Sequence, residues 1–363
     1  MISTLFDNDV LTSTVVVDDI VKQLSSSFDF EFKGTSTFKP PILPEVPSPF
    51  RIGLIVGPSG SGKSTLLKQF GTEKTIAWDT DRAICSHFDG AEDAQDRLTS
   101  VGLNSVPTWM RPYHVLSTGE KFRADLARRI SSGAVIDEFT SVIDRNVAKA
   151  CSYALRRYCD KNSLNNVVLS SCHYDIIPWL QPDWTFDTST GHMTSRGSER
   201  RPEIKLEIVP CSSKAWSMFS QHHYLSHAIN ASAQCWLVLW QDTPIGFSAA
   251  LPFPNRNFKQ AWRGHRTVVL PDYQGLGLGV RISDAIGQMF IDNGCRYFSK
   301  TSHPRMGEYR TSSPLWKPTT KNLRHRTDYL TSTKKSKEDG HKMRHVHRIC
   351  YSHEYVGASH DAQ

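Results

Sequence analysis

The sequence predicts an α/β protein built as two domains, and three observations carry that reading. At 363 residues the chain exceeds what one hydrophobic core organises well and suits two. In its first half, short apolar runs of strand length alternate with helical patterns, as in a mostly parallel sheet with helices on its faces. In its second half, strands with polar and apolar residues in alternation flank one long helical pattern, as in a mixed sheet. Each half also holds a glycine-rich turn between a strand and a helix, where backbone N–H groups can gather around an anion.

Taken in order, residues 1–49 end in a proline-rich stretch (Pro40, Pro41, Pro44, Pro47, Pro49) and read as an extended arm with little helix potential. Arg51–Val56 is an apolar strand, and Ser64–Phe70 supplies the helix after the first glycine-rich turn. Ala134–Ile136 and Val167–Ser170 are further buried strands, separated by a helical pattern from Val147 to Tyr158. These place a first domain at 50–190. The polar, charged stretch 191–202 reads as a linker. A second domain then covers 203–357. Its strands are expected at Glu203–Val209, Cys235–Trp240, Pro244–Ala250, Thr267–Leu270 and Tyr297–Lys300, with a helix from Val280 to Phe290 and alternation again from His345 to Tyr355. Residues 358–363 form a short tail.

Composition bounds the class. Apolar residues make up 39% and charged residues 22%, the balance of a soluble globular protein. No run approaches the roughly 20 apolar residues that span a bilayer; Cys235–Trp240 has strand length. The opening residues lack a basic segment followed by an apolar one, so no secretory signal is expected and a cytoplasmic location is. Eight cysteines are scattered without a Cys-x-x-Cys pair, which fits reduced thiols rather than a zinc ribbon or a disulfide framework.

Charge is unevenly placed. Between Lys317 and Arg348 stand ten Lys/Arg against three acids, an excess equal to the whole net charge of +7. That segment, most of it an expected insertion at 317–345, favours a polyanionic partner.

The first glycine-rich turn, Gly57-Pro58-Ser59-Gly60-Ser61-Gly62-Lys63-Ser64-Thr65, follows a strand and opens a helix. Glycines let N–H groups converge on phosphate oxygens, Lys63 neutralises β/γ-phosphate charge, and Ser64 offers a hydroxyl to Mg²⁺. The strand Ala134–Ile136 ends in Asp137, placed to hold Mg²⁺, and Glu138, placed to orient or deprotonate an attacking water. Leu116-Ser117-Thr118-Gly119-Glu120 is a small-residue helix start and a second anion site. His173 follows the next buried strand, within reach of a γ-phosphate. In this order the pieces resemble the ATP-binding-cassette (ABC) ATPases across residues 50–190. The resemblance implies ATP and Mg²⁺ as ligands, a homodimer with two ATPs sandwiched head to tail, and Ser117 and Gly119 acting on the partner's nucleotide. It also makes Ser141–Asp144 the loop that crosses that interface. The arm between Lys63 and Leu116 is short for this family, and its glutamine loop is not assigned, Gln95 being the residue offered for it.

The second turn, Gln274-Gly275-Leu276-Gly277-Leu278-Gly279-Val280, follows strand Thr267–Leu270. It resembles the loop of the Gcn5-related N-acetyltransferases (GNAT), a likeness that spans 203–357. The resemblance implies acetyl-CoA, or a related acyl-CoA, with its pyrophosphate on the N–H groups of 275–280 and its pantetheine arm along Val268 and Leu270. Catalysis in that family aligns an amine against a thioester, with a base and often a tyrosine acid. Candidates are Tyr309 and His303, and also His222, His223 and Tyr224.

For the acceptor, Arg305, Arg310, Trp316, Lys317, Lys321, Arg324 and Arg326 interleave bases with an aromatic and suit phosphates and stacked bases. The expected function is therefore ATP-driven acyl transfer to a base amine in nucleic acid, bound through 305–348. Two readings compete with it: an ATP-gated acetyltransferase acting on proteins or small molecules, and an ATP-driven nucleic-acid clamp without acyl transfer.

Overall fold

The computed structural model describes residues 10–196, 201–223, 228–254, 260–326 and 348–357. They form two compact units. One takes the described residues of Met1–Val101 and Arg111–Pro202, the other those of Gly102–Met110 and Glu203–Gln363. Tyr224, the tail 358–363 and the basic positions from Lys334 to Arg344 lie outside the described residues.

In the first unit, β1 (Leu11–Thr14) pairs antiparallel with β2 (Thr35–Phe38), and α1 (Asp19–Ser27) falls between them in sequence. Part of the expected extended arm is thus helical. Asp18 supplies the N-cap, accepting from Val21 N at 2.9 Å, and Ile20, Val21 and Leu24 follow at helical spacing, upstream of the first proline. Next come β3 (Ile52–Val56), α2 (Lys63–Leu67) and α3 (Ala91–Ser100). The short α4 (Val106–Trp109) belongs to the second unit, although the sequence reading leaves it in the first. It starts afresh because Gly102, at φ +77°, ends the α3 path and Pro107 opens a new helix.

The first unit continues with α5 (Thr118–Arg129), β4 (Val135–Ile136), α6 (Arg145–Lys161), β5 (Val167–Ser171), α7 (Ile177–Leu180), β6 (Trp184–Asp187) and β7 (His192–Ser195). The sheet order is β4-β5-β3-β6-β7, parallel except for β7. β7 corrects the linker reading: its polar residues pair with β6 at the sheet edge, where one strand neighbour and solvent satisfy the backbone. Phe50, Ile55, Leu66, Leu67, Val168, Trp184 and Phe186 form the core beneath the first turn. Gly53 is fixed by that packing, since a Cβ there would lie 2.1 Å from the Trp184 ring. Asp183 anchors the start of β3. Burial raises its pKa, but N–H groups of Ile52 and Arg51 and the Arg156 guanidinium outweigh that and hold it below the usual carboxylate range.

The second unit runs β8 (Glu207–Cys211), β9 (Gln234–Trp240), β10 (Thr243–Pro252), β11 (Ala261–Val269), α8 (Leu278–Asp292), β12 (Arg296–Thr301), α9 (Pro304–Ser312), β13 (Trp316–Pro318), β14 (Arg324–Arg326) and β15 (Arg348–Tyr355). Its sheet follows β13-β15-β12-β11-β10-β9-β8, with β14 also on β15. Among the described residues only the β11–β12 pair is parallel here, and its ladder covers just Ala261–Arg263 against Arg296–Phe298. Beyond it, β11 stays with β10 and β12 stays with β15, so the two strands part and open a cleft in the sheet. A bulge sharpens the divergence. Ala249 faces Arg266 while Ala250 faces Gly264, leaving His265 as the extra residue of β11.

A polar cluster lies inside this unit. Arg310 is 3% exposed, donates to Ser283 Oγ at 2.8 Å, and spreads over the Trp316 ring at 4.5 Å. His353 is fully buried, with Nε2 3.1 Å from Thr311 Oγ1; burial, then the Arg310 charge, lowers its pKa to about 4. In the unfolded chain the same imidazole ionises near its ordinary value of about 6.5. Its contribution to stability is therefore intact above pH ~6.5 and is lost progressively as pH falls toward the folded value. Melting at pH 7 and pH 4.5 should show it: His353→Gln is expected to lose roughly 5 °C less than the wild type between the two.

Candidate functional site

The nucleotide-type site is assembled at the ends of β3, β4 and β5. Gly57, Gly60 and Gly62 adopt φ of +150°, +76° and +90°, which curl the backbone into a cradle that side chains would strain. Gly57 N donates to Ser171 O at 3.3 Å, tying the loop to β5. Lys63 is 9% exposed, and its ammonium donates to Gly57 O at 2.9 Å and Pro58 O at 2.7 Å, inside the curl. Pro58, Ser59, Gly60 and Ser64 are exposed, while Ser61, Gly62 and Thr65 are half-buried. The charge and the N–H cradle suit a polyphosphate, and the open Ser64 hydroxyl suits its metal.

The acids follow β4. Asp137 Oδ1 accepts from Ser170 Oγ and, at 3.0 Å, from Glu138 N, which also donates to Ser170 Oγ at 3.1 Å. Glu138 and Thr140 stand at φ +49° and +71°, left-handed conformations unusual for such residues, and Glu138 is exposed. His173 Nδ1 lies 3.3 Å from Thr140 Oγ1; burial and then the Arg145 charge lower its pKa, so it is mainly neutral at pH 7. The structure thus links Asp137, Glu138 and His173 through residues of β5 and the turn after β4.

Ser117 is consumed locally. It caps α5 in a reciprocal capping box with Glu120, at 3.3 Å and 2.9 Å. Gly119 packs on Ile143, where a Cβ would come within 3.3 Å, so this loop and the Ser141–Asp144 segment meet within one chain. Gln95 sits in α3, where its carbonyl accepts from Thr99 Oγ1.

Four residues that sequence reasoning missed support the site. Ser170 and Ser171 brace the acidic turn; Thr188 bonds Ser61 Oγ at 2.6 Å and Val56 O at 3.0 Å; Glu73 accepts from Asp137 N at 3.3 Å. Hydroxyls after a buried strand were a weak signal, since such residues usually only end strands.

In the second unit, Gly275 and Gly277 take φ of +95° and +73°, and Gly277 is the N-cap of α8. Leu276 and Leu278 are buried and pin the loop. Gln274 donates to Val269 O at 2.7 Å, and its buried Oε1 has no partner among the described residues. Gly279 lies 3.6 Å (from a Cβ position) to Met306, so the first turn of α9 rests on the first turn of α8; Val280 is half-buried beside it. A cradle of this kind at the start of a 15-residue helix fits a pyrophosphate.

Strand direction corrects one expectation. Leu270 N donates to Ile245 O at 2.8 Å, and the Val268 carbonyl also faces β10. Backbone groups alternate along a strand, so Thr267 and Val269, not Val268 and Leu270, present theirs to the cleft. The bulge at His265 sets this phase and is invisible in the sequence.

Of the proposed acid–base residues, Tyr309 donates its phenol to Asp284 of α8, whose other oxygen accepts from Trp316 Nε1 at 2.7 Å. Burial and the Asp284 bond raise the phenol's pKa. His303 ends the β12 side of the cleft; its Nδ1 is buried without a partner among the described residues, and burial lowers its pKa. His222 is half-buried and His223 buried against the Trp216 ring at 5.7 Å. Among the nucleic-acid candidates, Lys317, Lys321, Arg305 and Arg324 are exposed, but Arg310 and Trp316 are not available: both are in the core. Counting charges along a sequence cannot tell a guanidinium stacked on an indole from a free one.

No curated protein matches the chain. Among solved structures it is similar to a dimeric bacterial ABC transporter cassette (15% identity, 41% of this chain and 86% of that one, TM-score 0.31). It is also similar to an acetyltransferase from Bacillus subtilis in complex with CoA (11%, 42% and 98%, TM-score 0.29). A third is a GNAT family acetyltransferase from Elizabethkingia anophelis with acetyl-CoA bound (11%, 42% and 96%, TM-score 0.26). Residues 201–310 match the family model of the acetyltransferase (GNAT) family, and the second unit carries a domain of that family.

Proposed function

We propose that the chain hydrolyses ATP in its first unit and transfers an acyl group from acetyl-CoA in its second, with a base amine of nucleic acid as acceptor. The observation that carries the transferase half is the cleft between β11 and β12 beside the Gly275–Gly277 cradle, within the stretch that matches the GNAT family. The cleft exposes Thr267 and Val269 backbone to an extended arm, while the cradle holds its phosphates. Bound there, the thioester supplies an activated acyl carbon. The amine nitrogen forms the new bond, the carbon–sulfur bond breaks, and the amine's proton leaves as the thiol gains one.

The hydrolase half rests on Lys63, Ser64, Asp137, Glu138 and His173. Glu138 orients a water, and its attack releases ADP and phosphate. In this reading Ser117 and Gly119 complete the site of a second copy, and the dimer clamps the substrate. Lys317, Lys321 and Arg324 supply phosphate contacts.

The test is transfer of label from acetyl-CoA to DNA or RNA, with and without ATP. ATP-stimulated incorporation into one polymer is the expected result, and a nucleoside of increased mass should follow from its digestion. The burial of Arg310 and Trp316 removes two nominated contacts and favours a second reading, an ATP-gated acetyltransferase for proteins or small molecules. Label in neither polymer, with turnover of acetyl-CoA on a small amine, would establish that reading instead.

A further inference from the structure

Between the first turn and α3, residues 73–78 run as a strap without regular secondary structure. Almost every bond it makes goes to one helix. Arg129 of α5 donates to Glu73 Oε1 at 2.8 Å and to Lys74 O at 3.1 Å; Arg128 donates to Ala77 O. Trp78 Nε1 donates to Asp125 at 2.7 Å, and the Arg128 guanidinium lies 4.7 Å over the Trp78 ring. Asp125 also accepts from Tyr113, whose ring stacks on Trp78 at 5.0 Å. The strap is therefore pinned to α5.

Its other end touches the acids. The same Glu73 Oε1 that receives Arg129 accepts from Asp137 N at 3.3 Å. Glu73 and Arg129 side chains are 31% and 22% exposed, so water screens this junction only in part. One carboxylate oxygen thus joins the turn bearing Asp137 and Glu138 to the helix whose first residues carry Ser117 and Gly119.

We propose that Glu73 is a positioning residue through which nucleotide occupancy at the acidic turn is transmitted to the start of α5. The inference rests on the ATPase reading and adds to it a route of control. A charge-assisted pair holding two elements of a half-buried junction is the stronger kind of hydrogen bond, and its loss lets each element settle by itself. Because the bond from Asp137 to Glu73 comes from its backbone N–H, removing Glu73 leaves Lys63, Ser64 and the hydrogen bonds of the acid side chains in place.

Amide hydrogen exchange on the full chain, read by mass spectrometry, separates the outcomes. With magnesium and a non-hydrolysable ATP analogue, the wild type should slow exchange in 57–66 and also in 117–123. Glu73→Ala should keep the first protection and lose the second, with ATP turnover reduced about tenfold, short of the roughly hundredfold that a 1 Å misplacement can cost. Glu73→Gln still offers an oxygen to both donors and should restore both protections. Protection of 117–123 that survives in Glu73→Ala overturns the proposal, as does loss of protection in 57–66, which would mean general damage. No protection of 57–66 in the wild type sinks the ATPase reading itself, and the inference with it.

Discussion

Glu138→Gln is expected to lower ATP turnover by about 10²- to 10³-fold while ATP remains bound, because a positioned acid–base group contributes on that scale. The amide keeps the shape of the side chain and removes its ability to take a proton. Nothing that grips phosphate changes: the glycine curl lies between β3 and α2, Lys63 opens α2, and the Glu138 backbone stays held by Asp137 and Ser170. The left-handed conformation at φ +49° points the same way. Such backbone costs roughly 1–3 kcal/mol and persists where its surroundings over-determine it. Here Phe139 N to Ser170 O at 2.7 Å and Ser171 Oγ to Phe139 O at 2.8 Å do so. Phosphate release measured beside ATP calorimetry decides the matter. Wild-type turnover in the variant would move the hydrolytic role elsewhere, with His173 next in line.

Gly277→Val should weaken acetyl-CoA by about 10- to 100-fold, the equivalent of the 1–3 kcal/mol that a misplaced left-handed residue costs. A branched side chain at φ +73° must either bear that strain or rotate the backbone. Buried Leu276 and Leu278 on each side prevent the loop from shifting as a body, so the N–H groups at the start of α8 would turn away from the ligand. Titration calorimetry with acetyl-CoA gives the change, and circular dichroism checks that α8 survives. Unaltered affinity would place the acyl donor away from this loop.

How much of this was readable beforehand depends on whether a signal is local. The strand–turn–helix around Lys63 and the long helix at Leu278–Asp292 were legible because each depends on neighbours in sequence. So was the acid pair at the end of β4. The helix Asp19–Ser27 was missed although its Asp18 cap was visible, since the prolines beyond it dominated the reading. The phase of β11 was not legible at all: one bulged residue, His265, decides which amides face the cleft. Arg310 and Trp316 looked like a ligand surface because a buried cation–aromatic stack has the same letters as an exposed one. The strap's role depends on residues far apart in sequence, Glu73 with Arg129 and Asp137, and no periodicity marks such a junction.

The Phe38 ring and Pro41 press on Gly62, where a Cβ would meet them at 3.0 Å and 3.3 Å. Trimming the front of the polypeptide to obtain a tidier preparation would strip that lid from the glycine bend. Shortened proteins would then report a nucleotide affinity belonging to the truncation rather than to the native molecule.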